Sequence, residues 1–237
     1  MWIATLADDA IQDLRPVQDL AGSGPPFQRL ATLLGRGEFA ACGIDAPLSA
    51  PGSVMPPGGR AALVKAVDDL PLDGRPFPTA DRFLDLLAVS PQRKDYRAAE
   101  QAWRARGLNV RSSTWRQPRG GAPFTAAALK LIAAAGMPPC WPWVRSGSGV
   151  LAEAFPMAQL KQWGLPYQGY AGSAELRGEI LESLRTRLDL GRWRQACLDS
   201  PDALDAVLAA LAALAVADRT APFPEDCDEE GWIAVAP

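Results

Sequence analysis

Residues 39–45 read Phe-Ala-Ala-Cys-Gly-Ile-Asp and are followed at once by Ala46-Pro47. A short, largely apolar run ended by proline is the pattern of a strand covered on both faces of a sheet. Its only charge, Asp45, sits at the carboxyl end, where open α/β sheets keep their ligand sites. Residues 149–155, Gly-Val-Leu-Ala-Glu-Ala-Phe, repeat the arrangement, with one acid, Glu153, and a closing Pro156. Each acid has two readings: a functional carboxylate, or an ordinary strand-end acid satisfied by backbone N–H groups or arginine.

Outward from these runs, residues 2–7 and 10–18 predict two strands of a hairpin, with Asp8-Asp9 as its tight turn. The spacing predicts a connector helix over 27–34, stopped by Gly35 and Gly37. Pro and Gly density makes 48–60 a long loop, and 61–70 reads as a short helix. Residues 71–125 are the least regular stretch and read as an insertion or lid. A helix follows over 124–135, and another over 174–189, where Leu176, Ile180, Leu181, Leu184 and Leu188 form one apolar stripe. The last helix spans 201–217, with Ser200 as its N-cap and Pro201 at its first position. After Asp205 it is apolar on every face, so it packs deep in the domain.

The 237 residues and 25.3 kDa favour one domain over 1–237, and 48% hydrophobic with 22% charged residues is ordinary globular composition. No apolar run approaches the roughly 18 residues of a membrane span, and the N-terminus lacks a secretory pattern, so a soluble cytoplasmic protein is expected. Cys42, Cys140, Cys197 and Cys227 lack paired zinc spacing and read as core thiols. The chain has no histidine. That excludes Ser-His-Asp and Cys-His mechanisms and His-ligated zinc, and turns attention to carboxylates.

A net charge of -3 argues against a generic nucleic-acid coat. From Gln92 to Arg119, however, eight basic residues stand against two acids, interleaved with Tyr96, Trp103 and Trp115. One reading is a helix whose Tyr96, Ala99 and Trp103 pack on the body. The other is a DNA or RNA clamp in which Arg104, Arg106, Arg111 and Arg116 meet phosphates while Trp103 and Trp115 stack on bases.

Asp202 and Asp205 share a helix face. A first-turn carboxylate at Asp202 offsets the helix dipole by roughly 0.3–1 kcal/mol. Asp205 lies a turn further in, where an unpaired charge costs several kcal/mol unless a cation or donors compensate it. Carboxylates that converge repel one another, and a Mg²⁺ or Mn²⁺ ion relieves this. Such a centre can hydrolyse phosphodiesters without histidine. Glu-Asp-Cys-Asp-Glu-Glu at 225–230 lacks the ligand spacing of a calcium loop and reads as a solvated turn before a last strand.

Several of these pieces occur together in a known order. Gly-Ile-Asp-Ala-Pro-Leu-Ser at 43–49, Glu-Ala-Phe-Pro at 153–156, Arg177 ahead of Ile180-Leu181, Asp202-Ala-Leu-Asp205-Ala and Glu230-Gly-Trp-Ile resemble the domain of unknown function 429 family, described as predicted RNase-H-like nucleases. The Asp-x-x-Asp-Ala helix start is also similar to that of Holliday-junction resolvases. The resemblance implies a central mixed sheet flanked by helices, with Asp45, Glu153, Asp202 and Asp205 as catalytic, metal-binding carboxylates. It also implies phosphate contact by loop arginines at Arg60 and Arg75, whose other reading is surface salt bridging. The family normally opens with a strand ending in an acid, whereas Met1-Trp2 stands here where its second strand begins, so that either the start lies upstream or this member lacks a central strand and one metal ligand. That departure motivates a second reading, a catalytically silent RNase-H-like binding module. The Lys that often follows a Tyr before the Arg177 position is replaced by Tyr167-Gln-Gly-Tyr170. An actin-like ATPase is disfavoured for want of a Gly-rich phosphate loop.

Overall fold

The computed structural model describes residues 1–90, 95–116, 121–227 and 229–237, and it is a mixed α/β protein. Strands β1 (Trp2–Ala7) and β2 (Ala10–Pro16) form the expected hairpin. Asp8 and Asp9 both take positive φ, 50° and 56°, as a two-residue turn matched to the twist of a hairpin requires. Strand β2 ends at Pro16, and Val17–Asp19 turn as 3-10 rather than continuing the strand. Helix α1 (Pro26–Arg36) starts on proline and stops at Gly37, which is left-handed at φ 62°.

Strands β3 (Ala41–Ile44), β4 (Val150–Ala154) and β5 (Ile233–Ala234) pair in parallel in that order, with Ile44 opposite Glu153. The expectation of one central mixed sheet is corrected: among the described residues the hairpin and the parallel strands are two separate sheets. A common helix joins them. Helix α9 (Pro201–Ala217), capped by Ser200, packs most extensively on β1 and β3 and less on their neighbours.

Alternation along the strands sorts the two sheet faces. Ala41, Val150, Ala152 and Ala154 pack with Ala209, Ala212, Ala215 and Val216 of α9. Cys42, Ile44 and Leu151 face the opposite cluster, built on α1, α2 (Gly59–Asp68), α3 (Ala80–Leu86) and α5 (Ala122–Ala134). A Cβ on Gly43 would meet the Ala209 carbonyl oxygen at 2.1 Å, so glycine and alanine together let strand and helix touch backbone to backbone.

The stretch 71–125 is more regular than its composition suggests. It contains α3, α4 (Ala98–Ala105) and the start of α5, and Phe83, Leu84 and Trp103 are buried. Pro156 does not simply close β4: it opens α6 (Pro156–Gln162), since proline needs no N–H partner at a first helical position. Helix α7 (Ala174–Leu184) stops short of 189, and the short α8 (Arg194–Asp199) precedes α9. Among the described residues no helix is long and apolar enough to cross a membrane.

Candidate functional site

Asp45 follows β3 directly, while Asp202 and Asp205 lie in the first turns of α9, the helix packed on that strand. The three aspartates gather where the carboxyl end of the strand meets the start of the helix. Asp45 keeps solvent access, Asp202 is exposed and Asp205 is half-buried. The Asp45 carboxyl is pushed up to about 8 by burial of the group and by the charges of Asp205, Glu153 and Asp202. Its solvent access moderates the burial part, but the repulsion from three acids stands. Asp205 is pushed up to about 6, chiefly by burial and secondarily by Asp202, against the opposing pull of a hydrogen bond from Tyr170. The Met1 ammonium lies 3.5 Å from Asp202, both groups being exposed.

Glu153 has a different environment. Its partner in the ladder is Ile44, so it shares the face of Ile44 and Leu151 rather than that of Gly43. There it meets Arg97, which is 1% exposed. Arg97 Nη1 and Nη2 donate to the two Glu153 oxygens at 2.6 and 2.5 Å, and the Leu48 amide adds a bond at 2.9 Å. Arg97 also donates from Nε to Glu100 at 2.9 Å and from Nη1 to the Ser49 hydroxyl at 3.1 Å. Burial works against the Arg97 charge, but Glu153 and Glu100 outweigh it and hold the guanidinium protonated. Burial pushes the Glu100 carboxyl up despite Arg97, because one cation serves two acids. The strand-end reading of Glu153, with backbone and arginine partners, describes its contacts here.

Glu230 extends this network. It accepts from the Ala98 amide at 2.6 Å and from the Gly52 amide, while its carbonyl accepts from Ser49. The segment read as a solvated turn therefore ties α4 to the loop after β3.

The predicted phosphate contacts divide. Arg60 is half-buried and engaged, donating to the Leu48 carbonyl at 2.9 Å and to Cys140 Sγ at 3.0 Å, with its guanidinium 4.6 Å from the Trp143 ring. Arg75 is exposed. Arg104, Arg106 and Arg111 are exposed and lie over Tyr96, Trp103 and Trp115 respectively, and exposed Arg116 approaches Asp81 at 3.3 Å. Trp103 is 2% exposed and packs with Ala99, Leu108 and Val110, so its ring is part of the core rather than an open platform for a base. Trp115 remains half-buried. Arg93, Lys94 and Arg119 lie outside the described residues.

Two groups escaped the sequence reading. Arg97 is one of the eight basic residues of the 92–119 stretch, and Glu100 three residues on is the spacing of a helix-start capping pair. Tyr170 donates its hydroxyl to Asp205 Oδ1 at 2.6 Å, a contact across 35 residues that no local pattern signals.

The oxygen-only donors at this end of the sheet suit a hard cation. Among the described residues no three acidic, cysteine or histidine side chains converge closely enough to cage an ion. Mg²⁺ keeps several waters and needs only one or two carboxylates. Asp45 and Asp205, with Asp202 at the rim, fit that kind of open site.

Fold and site thus define an α/β protein with mutually repelling carboxylates at the carboxyl end of a parallel sheet. The chain belongs to the family of proteins of unknown function DUF429, whose sequence profile matches residues 25–229. No curated protein and no solved structure matches it.

Proposed function

We propose that the chain is an RNase-H-like, Mg²⁺- or Mn²⁺-dependent nuclease that hydrolyses phosphodiester bonds of DNA or RNA. The observation that carries this reading is the placement of Asp45, Asp202 and Asp205 together where β3 meets the start of α9, with the Asp45 and Asp205 carboxyls pushed up first by burial and then by the charge of neighbouring acids, Asp202 among them. Folded proteins relieve such repulsion by protonation or by a cation. A divalent ion, when bound, activates water and offsets charge on the phosphate. Asp45 and Asp205 would hold it, Asp202 would extend the negative rim, and Glu153 would join only if released by Arg97. The exposed Arg75, Arg104, Arg106, Arg111 and Arg116 are suited to phosphate contact. The four cysteines, three of them buried, are not joined by disulfides, which suits a reducing compartment, and the reading includes a cytoplasmic location.

The test is cleavage of labelled single- and double-stranded DNA and RNA with Mg²⁺ or Mn²⁺. Asp45→Asn is expected to abolish cleavage while leaving the melting transition cooperative. Undiminished cleavage by that variant removes Asp45 from the mechanism.

A second reading, a catalytically silent RNase-H-like binding module, is favoured by the saturation of Glu153 with Arg97 and Leu48. It predicts no heat of Mn²⁺ binding in calorimetry and nucleic-acid affinity that chelator leaves unchanged.

A further inference from the structure

The 3-10 turn Tyr170–Gly172 precedes α7 and packs against α7 and α9, with Tyr170 in the same core cluster as Ile11 and Leu14 of β2. Arg177, 6% exposed, donates from Nη1 to the carbonyls of Tyr170 at 2.6 Å and Ala171 at 3.1 Å, and from Nε to the Leu198 carbonyl at 2.8 Å. A buried guanidinium spent on three carbonyls fixes backbone position, because its planar fork orients all three acceptors at once. The turn so fixed carries Tyr170, 5% exposed, whose hydroxyl reaches Asp205 Oδ1. On α9 Asp205 is flanked by buried Leu204, Val207 and Leu208, and Tyr170 is the donor that meets it beside the like-charged Asp45 and Asp202.

We infer that Tyr170, braced by Arg177, is a positioning residue that locks the Asp205 carboxylate for cation binding, with Oδ1 held by the phenol and Oδ2 offered to the ion. This rests on the metal-binding reading proposed above. Partners that hold a metal-ligating carboxylate in this way fix its orientation, and their loss weakens metal binding even though they never touch the ion.

The experiment is Mn²⁺ calorimetry on the full chain and its Tyr170→Phe variant, with melting temperatures recorded for both. The variant is expected to bind Mn²⁺ about 10-fold more weakly while remaining folded. Unchanged Mn²⁺ affinity in a folded variant overturns the assignment, whatever its melting temperature, and reduces Tyr170 to a structural partner of Asp205. Absence of Mn²⁺ binding by the wild-type chain is a distinct result: it overturns the metal-binding reading and the assignment with it.

A second measurement does not depend on the variant folding. The chain has three tyrosines, Tyr96, Tyr167 and Tyr170, so ¹³C-tyrosine labelling gives a simple spectrum, assigned with Tyr96→Phe and Tyr167→Phe. Bound Mn²⁺ is expected to broaden the Tyr170 ring resonance. A Tyr170 signal that stays sharp at saturating Mn²⁺ overturns the assignment.

Discussion

A single guanidinium, Arg97, carries the charge balance of two interior acids, Glu153 and Glu100. Replacing it by methionine keeps much of the packing but strands both carboxylates, and breaking a buried pair in this way costs about 3–5 kcal/mol. Urea unfolding of Arg97→Met should show that loss. Arg97→Lys should recover only part of it, because an ammonium cannot bridge Glu153, Glu100 and Ser49 together. A loss below about 1 kcal/mol would mean the network is dispensable. Asp45 gives the opposite sign. Its carboxyl and that of Asp205 rise from the ordinary 3.8 to about 8 and about 6 on folding. The folded chain therefore holds extra protons between those values, and the stability linked to them is full below pH ~4 and declines as pH rises through about 6 and about 8. Asp45→Asn should melt above wild type at pH 9 and approach it near pH 5. Parallel melting curves across that range would remove the repulsion from the account.

At the scale of elements, α9 organises the molecule and was also the most legible. Ser200 and Pro201 mark its start, and its structural limits, Pro201–Ala217, agree with the sequence reading. Its alanines let it approach β3 until the Ala209 carbonyl stands where a Gly43 side chain would begin. Gly43→Ala must displace α9 or β3, with an overpacking cost of about 1–3 kcal/mol, read as a lowered midpoint of chemical unfolding. An unshifted midpoint would show that helix and strand can separate freely. The short helices were less legible. Helices α6 and α8 have seven and six residues, which give too few turns for an apolar stripe to emerge. Pro156 signals a strand end and a helix start with the same residue.

Across the whole molecule, charge is distributed unevenly despite a net value of -3. Arg104, Arg106, Arg111 and Arg116 keep their charges at the surface even where they lie over aromatic rings or approach an acid. If this face binds nucleic acid, neutralising all four should flatten the dependence of log affinity on log salt, since each phosphate contact contributes a slope of about 0.7–0.9. Fluorescence anisotropy with a labelled oligonucleotide at several salt concentrations measures it. An unchanged slope would assign the four to the surface alone. Trp103, by contrast, belongs to the packed interior, and Trp103→Ala is a test of stability rather than of base stacking.

What the sequence by itself determined is local: the hairpin and its Asp8-Asp9 turn, the two short acid-bearing strands, of which β4 is buried and β3 only partly so, the capped alanine-rich helix, and Asp45 and Asp205 as acids with unusual surroundings. Each follows from chemistry within a few residues. What only the tertiary structure decided is which groups meet. Opposing Glu153 to Ile44 turns its side chain to the face where Arg97 waits, a consequence of strand register, because a one-residue shift exchanges the faces of a strand. The bond from Tyr170 to Asp205 likewise arises when the turn braced by Arg177 is set beside α9. Both are long-range pairings, fixed by packing over distances along the chain that no local pattern spans.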